Sequence, residues 1–157
     1  MDPSTFFAYP DSVAQQAAGF LASLYDDEIA GILGFTQTRR YTPGDLAVQR
    51  GDTGRDLYIV TAGHFDVLVS GPRGPQRASQ FGPGDIFGEL AFFDGQPRSA
   101  DVRANGPAEA LVMTSAGFER MRLAQPRLAM IFVLDLGRIL SLRFREHNRR
   151  LAALGQL

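Results

Sequence analysis

The residues with the most chemical content lie in one run, Phe87-Gly88-Glu89-Leu90-Ala91-Phe92-Phe93-Asp94-Gly95-Gln96-Pro97-Arg98-Ser99-Ala100-Asp101-Val102. A strand over Asp85 to Phe87 is expected to end at a glycine, with a single helical turn over Glu89 to Phe92. A second turn at Asp94-Gly95 then returns the chain to a strand from Ser99 to Arg103. Free backbone N–H groups at a helix start attract anions, and an arginine a few residues later can add a charge-assisted bond. Arg98 is that arginine. A carboxylate such as Glu89 is unfavourable beside an anion unless it has a donor of its own, and a sugar hydroxyl is such a donor. Glutamate and arginine around a helix start therefore suit a sugar–phosphate ligand. Taken singly, Arg98 reads as a surface arginine paired with Asp94 or Asp101, Glu89 as a carboxylate favoured by a helix dipole, and Gly88 as a turn residue. Their joint order and spacing point to a site.

The elements that must position this run fall into three zones of a single domain: a helical segment over residues 1–35, a β-rich zone over 36–114 that contains the 87–102 run, and helices over 115–157. In the first, Asp26 or Asp27 can cap a short helix through Ile29, Ile32 and Leu33 that stops at Gly34, and Phe20, Leu21 and Leu24 suggest a short helix before it. In the second, Leu57-Tyr58-Ile59-Val60 and Phe65-Asp66-Val67-Leu68-Val69 flank Ala62-Gly63-His64 and read as a hairpin. Gly71 to Gly74 reads as an exposed loop. Tyr41-Thr42-Pro43-Gly44-Asp45-Leu46 and Phe81-Gly82-Pro83-Gly84-Asp85-Ile86 repeat one pattern 40 residues apart. Proline followed by glycine is type II turn chemistry, so two equivalent corners of a rolled β-sandwich are expected. In the third zone Ser115 can cap a helix carrying Phe118, Met121 and Leu123, and Pro126 breaks it or starts another. Val133, Gly137, Leu140, Phe144, His147, Leu151 and Leu154 then follow a heptad-like spacing that makes a dimer seam plausible over helix 127–154.

Composition removes whole classes of chemistry. The chain has 157 residues, 16 basic and 17 acidic side chains, two histidines and no cysteine. Disulfides, thiolate zinc sites, iron–sulfur clusters and cysteine nucleophiles are excluded together. His64 and His147 are too few for a multi-histidine metal centre, so no metal is expected, and a metal-binding cupin enzyme fails on ligand count. All the basic residues are arginine, which excludes lysine Schiff-base chemistry and a Walker-type lysine. A net charge of −1 offers no global field for nucleic acid or an anionic membrane. No stretch approaches the roughly 18 uninterrupted apolar residues of a spanning helix, and Met1 to Pro10 shows no secretory signal. A cytoplasmic protein is the expectation.

With these residues in view, the sequence resembles the cyclic-nucleotide-binding domain family, which includes catabolite activator proteins, protein kinase A regulatory subunits and cyclic-nucleotide-gated channels. The resemblance runs from about Phe20 to Arg150. It centres on the phosphate-binding cassette, here Phe87-Gly88-Glu89-Leu90-Ala91 and Pro97-Arg98-Ser99-Ala100, after paired Pro-Gly-Asp turns. It implies a mainly β jelly roll (a double-stranded β-helix) with an N-terminal helical segment and C-terminal hinge and lid helices. It implies cAMP, or less favoured cGMP, as the ligand.

By the same resemblance, Arg98 pairs with the cyclic phosphate and Glu89 accepts from the ribose 2′-hydroxyl. Gly88, Leu90 and Ala91 offer backbone groups, and Ser99 and Ala100 close the pocket from the strand side. Leu90 would also be an apolar latch touching the hinge near Phe118 and Leu123. Arg138, Leu142 and Arg145 are candidates for a base lid. Many members carry Thr or Ser where this chain has Asp101, which would repel the phosphate if it faced it; strand alternation turns it away from the side of Ala100 and Val102.

The expected function is a non-catalytic cyclic nucleotide receptor that couples ligand binding to movement of its C-terminal helices, with a downstream protein partner unknown. The alternatives are a ligand-free interaction or dimerisation module of the same fold and a truncated DNA-binding regulator. The chain reaches Leu157 directly after its long helix without a winged helix-turn-helix, so the expectation is against direct DNA binding and against a membrane partner.

Overall fold

The structure, a computed structural model, describes residues 19–22 and 24–155. The helical segment expected before Phe20 lies outside the described residues. Eight strands are described: β1 (Gln37–Tyr41), β2 (Leu46–Val48), β3 (Leu57–Ala62), β4 (Phe65–Gly71), β5 (Gly74–Phe81), β6 (Ile86–Phe87), β7 (Asp101–Ala104) and β8 (Ala108–Met113). They form two antiparallel four-stranded sheets, ordered β1-β8-β3-β6 and β2-β7-β4-β5. Helix α1 (Asp26–Leu33) precedes them, α2 (Glu89–Asp94) interrupts them, and α3 (Ser115–Ala124) and α4 (Pro126–Ala153) follow. This is a jelly roll with flanking helices.

The repeated Pro-Gly-Asp corners carry the chain from one sheet to the other. Thr42 N donates to Asp45 Oδ2 at 2.7 Å and Gly82 N to Asp85 Oδ2 at 2.8 Å, so the aspartate of each repeat holds its own turn. The glycines two residues into these turns have matching positive φ values of 91° and 90°. The two corners are geometrically equivalent.

The hairpin expected around Gly63 is not formed. β3 pairs with β6 and β8, whereas β4 pairs with β5 and β7 in the opposite sheet. The chain crosses between sheets at Gly63, where a Cβ would sit 2.3 Å from the Pro107 carbonyl oxygen. The hairpin is β4–β5 instead, closed where Gly71 faces Gly74. Val67, Leu68 and Val69 are all buried, one side facing the roll and the other covered.

Helix ends differ by one residue from expectation. α1 is capped by Tyr25, whose amide donates to Glu28 Oε2 at 3.0 Å, and Asp26 and Asp27 fall inside the first turn, where they complement the dipole. α3 is capped by Thr114 rather than Ser115, with Thr114 Oγ1 accepting from Gly117 N at 2.9 Å. Pro126 starts α4, a position where its missing N–H has no consequence.

Two cores result. One fills the roll with Val60, Phe65, Val67, Phe81, Phe87 and Val112 among others. The other joins α4 to the outer face of the β1-β8-β3-β6 sheet through Leu128, Phe132, Leu136 and Ile139, with Ile59, Ile86 and Met113 beneath. Phe20 and Leu21 form a turn rather than a helix, and Phe20 meets Phe132 edge-on at 5.4 Å. Leu21 N donates to the buried Asp135 at 2.7 Å, which ties this turn to α4. Of the expected seam residues, Val133 packs against this second core, Gly137, Leu140, His147 and Leu151 are half-buried, and Phe144 and Leu154 are exposed.

Candidate phosphate-binding cassette

The site is assembled where β6 ends. Gly88 adopts φ +82° and caps α2; a Cβ there would lie 2.7 Å from the Asp56 carbonyl oxygen and 2.8 Å from Arg98 Nη1. Only glycine lets the backbone turn this tightly against the arginine. α2 runs two residues beyond the expected single turn and ends at Gly95, also left-handed.

Arg98 is buried and fixed by both backbone and side chain. Its amide donates to Asp52 O at 2.8 Å and its carbonyl accepts from Gly51 N at 2.9 Å, a bridge to the loop between β2 and β3. Nη1 donates to Gly88 O at 3.0 Å and Nη2 to Asp56 O at 2.8 Å. Its guanidinium carbon stands 5.9 Å from the Tyr58 ring centroid, within cation–π range. Burial draws the guanidinium below its usual pKa, opposed by Tyr58 and by the carboxylates of Asp56, Glu89 and Asp52. Asp94 and Asp101 are not its partners: Asp94 Oδ1 accepts from Gln96 N at 2.9 Å, and Asp101 Oδ1 from Arg50 N at 2.7 Å. An arginine has five N–H donors. Two go to carbonyl oxygens here, which leaves donors for an anion.

Glu89 is also buried, and its partner comes from far along the chain. Arg143 Nη1 donates to Glu89 Oε1 at 2.8 Å, while Arg143 Nη2 donates to Ile86 O at 2.7 Å. The Arg143 guanidinium carbon stands 5.5 Å from the Phe81 ring centroid. No motif in the sequence marks Arg143. Helical periodicity on an arginine-rich helix leaves open which arginine turns inward, and only the packing of α4 on the roll selects one. The ion pair balances the Glu89 charge at the edge of the cavity without using Arg98.

A cavity of about 190 Å³ opens between α2 and the strands. Gly88, Glu89, Leu90, Ala91, Arg98, Ser99 and Ala100 all line it, and Val48, Val67, Phe81 and Val102 form its apolar wall. The structure therefore brings every cassette residue to one cavity. Arg138, Leu142 and Arg145 do not line it. Arg138 pairs with Asp135 on its own helix at 2.9 Å, Arg145 is exposed and Leu142 is half-buried. Leu90 is 46% exposed, and the aromatic contact with Phe118 at 5.2 Å comes from Phe92. Asp101 faces away from the cavity that its neighbours Ala100 and Val102 line. No cluster of His, Cys, Asp or Glu able to hold a metal occurs among the described residues. No described helix is long and apolar enough to cross a membrane.

The fold is a jelly roll that buries an arginine and a glutamate at one cavity beside a glycine-capped helix. Residues 38–125 match the family described as "Cyclic nucleotide-binding domain". The chain belongs to this family. It is 32% identical over 144 residues to Glutaminase 2 of Bradyrhizobium diazoefficiens, covering 92% of this chain and 22% of that protein. It is 32% identical over 101 residues to the cAMP-dependent protein kinase regulatory subunit of Emericella nidulans, covering 64% of this chain and 24% of that one. Among solved structures, the Thermus thermophilus catabolite activator protein superposes with a TM-score of 0.74 at 27% identity, over 87% of this chain and 62% of that one. The chain thus spans only about a quarter or less of these curated relatives.

Proposed function

We propose that this chain is a non-catalytic, cytoplasmic cyclic nucleotide receptor, with cAMP preferred over cGMP, that transmits occupancy through α4. One observation carries the reading: Arg98 and Glu89 are buried at a single cavity with the other cassette residues around it. In this mechanism the cyclic phosphate takes donors from Arg98 and the N–H groups at the start of α2. The ribose 2′-hydroxyl donates to Glu89, whose charge Arg143 balances. The base lies toward Val48, Val67 and Val102, an apolar wall that suits adenine better than the more polar guanine. Ser99 is one of the polar groups lining the cavity. Because Glu89 belongs to the site and Arg143 to α4, a ligand that shifts the carboxylate changes how α4 is held. The lid candidates Arg138, Leu142 and Arg145 reach a base only if α4 moves.

The outward face of α4 supports a second copy of this chain as one partner. Met130, Leu134 and Phe144 are 57%, 65% and 65% exposed, and they lie near the expected seam. A downstream protein would receive the signal; the glutaminase relative suggests an enzyme as one such target.

Calorimetric titration of nucleotide-stripped protein with cAMP and then cGMP tests the reading, alongside Arg98→Ala. Micromolar or tighter binding that the variant weakens about 10–150-fold is expected, the worth of a charge-assisted bond of roughly 1.5–3 kcal/mol. No heat with either nucleotide, from a folded protein, overturns it. That result would favour a ligand-free interaction module, for which the self-paired Arg143–Glu89 arrangement is already complete.

A further inference from the structure

Arg55 lies outside the cassette, in the loop between β2 and β3, and its side chain reaches across to α2. Nε donates to Ala91 O at 3.4 Å and Nη2 to Phe92 O at 3.2 Å. Ala91 O already accepts from Gly95 N at 3.0 Å, so Arg55 adds a second donor there and a donor to Phe92 O in the helix's last turn, and a cation beside these carbonyls also complements the dipole. Gly95, which ends the helix, leaves the space: a Cβ there would stand 3.4 Å from Arg55 Cζ.

The residue next in sequence serves the other end of the same helix. Asp56 O accepts from Arg98 Nη2 at 2.8 Å, and Arg98 Nη1 holds the α2 cap carbonyl, Gly88 O, at 3.0 Å. One loop therefore grips α2 twice, through Arg98 at its start and through Arg55 at its end. An anion would meet the first grip directly, taking the Arg98 donors that the two carbonyls leave. The second grip is independent of it, since Arg55 does not line the cavity.

We infer that Arg55 is a positioning residue for the cyclic phosphate: by pinning the last turn of α2 to the β2–β3 loop, it keeps the N–H groups at the start of α2 in register with Arg98. This rests on the receptor reading above and extends it to a residue that carries no part of the motif.

The test titrates the full chain and its Arg55→Ala and Arg55→Lys variants with whichever of cAMP and cGMP the unaltered protein binds. Arg55→Ala is expected to weaken binding about tenfold, one charge-assisted bond's worth. Arg55→Lys, which keeps a cation at the helix end, recovers part of the loss. Hydrogen exchange at Ala91 to Gly95 in the ligand-bound state rises in the alanine variant, while the ligand-free thermal midpoint stays near that of the unaltered protein because Arg55 is exposed. Unchanged affinity in Arg55→Ala overturns the inference and leaves the receptor reading intact. So does a loss matched by a fall in the ligand-free midpoint with no change in exchange at α2. Failure of the unaltered, folded protein to bind either nucleotide overturns both, and is seen before any variant is made.

Discussion

Arg143 and Glu89 stand 54 positions apart in sequence and form a buried ion pair at 2.8 Å, with side-chain exposures of 10% and 6%. The pair joins the long C-terminal helix to the first residue of α2, so the carboxylate at the cavity and the orientation of α4 are set together. Arg143→Met should destabilise the protein by about 3–5 kcal/mol, because it strands a buried carboxylate. Adding Glu89→Gln should restore much of that loss. A urea-denaturation double-mutant cycle measures the coupling, and purely additive effects would show that the two side chains do not interact in solution.

Two glycines with nearly the same backbone give a second prediction. Gly88 and Gly84 have φ values of 82° and 90°, but a Cβ meets Asp56 O and Arg98 Nη1 at Gly88 and nothing within 4 Å at Gly84. Each alanine substitution costs about 1–2 kcal/mol of left-handed strain. Only Gly88→Ala should also displace Arg98 and press on the Asp56 carbonyl, so it should cost more stability than Gly84→Ala and weaken nucleotide binding far more. Equal binding in the two variants would mean that Gly88 does not position the arginine.

Tyr41 offers a pH-dependent test. Burial, with the nearby Tyr58, pushes its hydroxyl up to about 12 from the usual 10.0. The folded state thus holds the proton more tightly than the unfolded chain. Stability from this source is present in full below pH 10 and is lost as pH rises from there toward 12. Tyr41→Phe should flatten the alkaline fall in denaturation free energy, and tyrosinate absorbance should lose its latest-titrating component. An unchanged alkaline slope would refute the assignment.

The exposed face of α4 predicts self-association. Phe144→Glu places a charge at a side chain that is 65% exposed, so it should leave the fold unchanged. Sedimentation should show a dimer for the unaltered chain and a monomer for this variant. A monomer in both cases would remove the second copy from the proposal.

The cassette was legible because its information is local. Gly88, Glu89 and Arg98 lie within one strand–turn–strand passage, and the order of residue types dictates the backbone that brings them together. The paired Pro-Gly-Asp corners were legible for the same reason, each aspartate bonding its own turn. Arg143 was not, since its selection among neighbouring arginines depends on how α4 lies on the β1-β8-β3-β6 sheet. The misplaced hairpin has a related cause. Adjacency in sequence favours pairing of β3 with β4, but in a sandwich each finds its partners across longer separations, and the chain between them crosses instead of turning back.

β1 pairs with β8, so Gln37 faces Val112 and Tyr41 faces Ala108. The first described strand therefore waits for the last, and closing so long a loop slows the search. During synthesis the early strands cannot complete their ladder, and α4, which covers the outer face of that sheet, emerges later still. The roll therefore cannot close before β8 is made, and the nascent chain carries its cassette before it has the helix that balances Glu89.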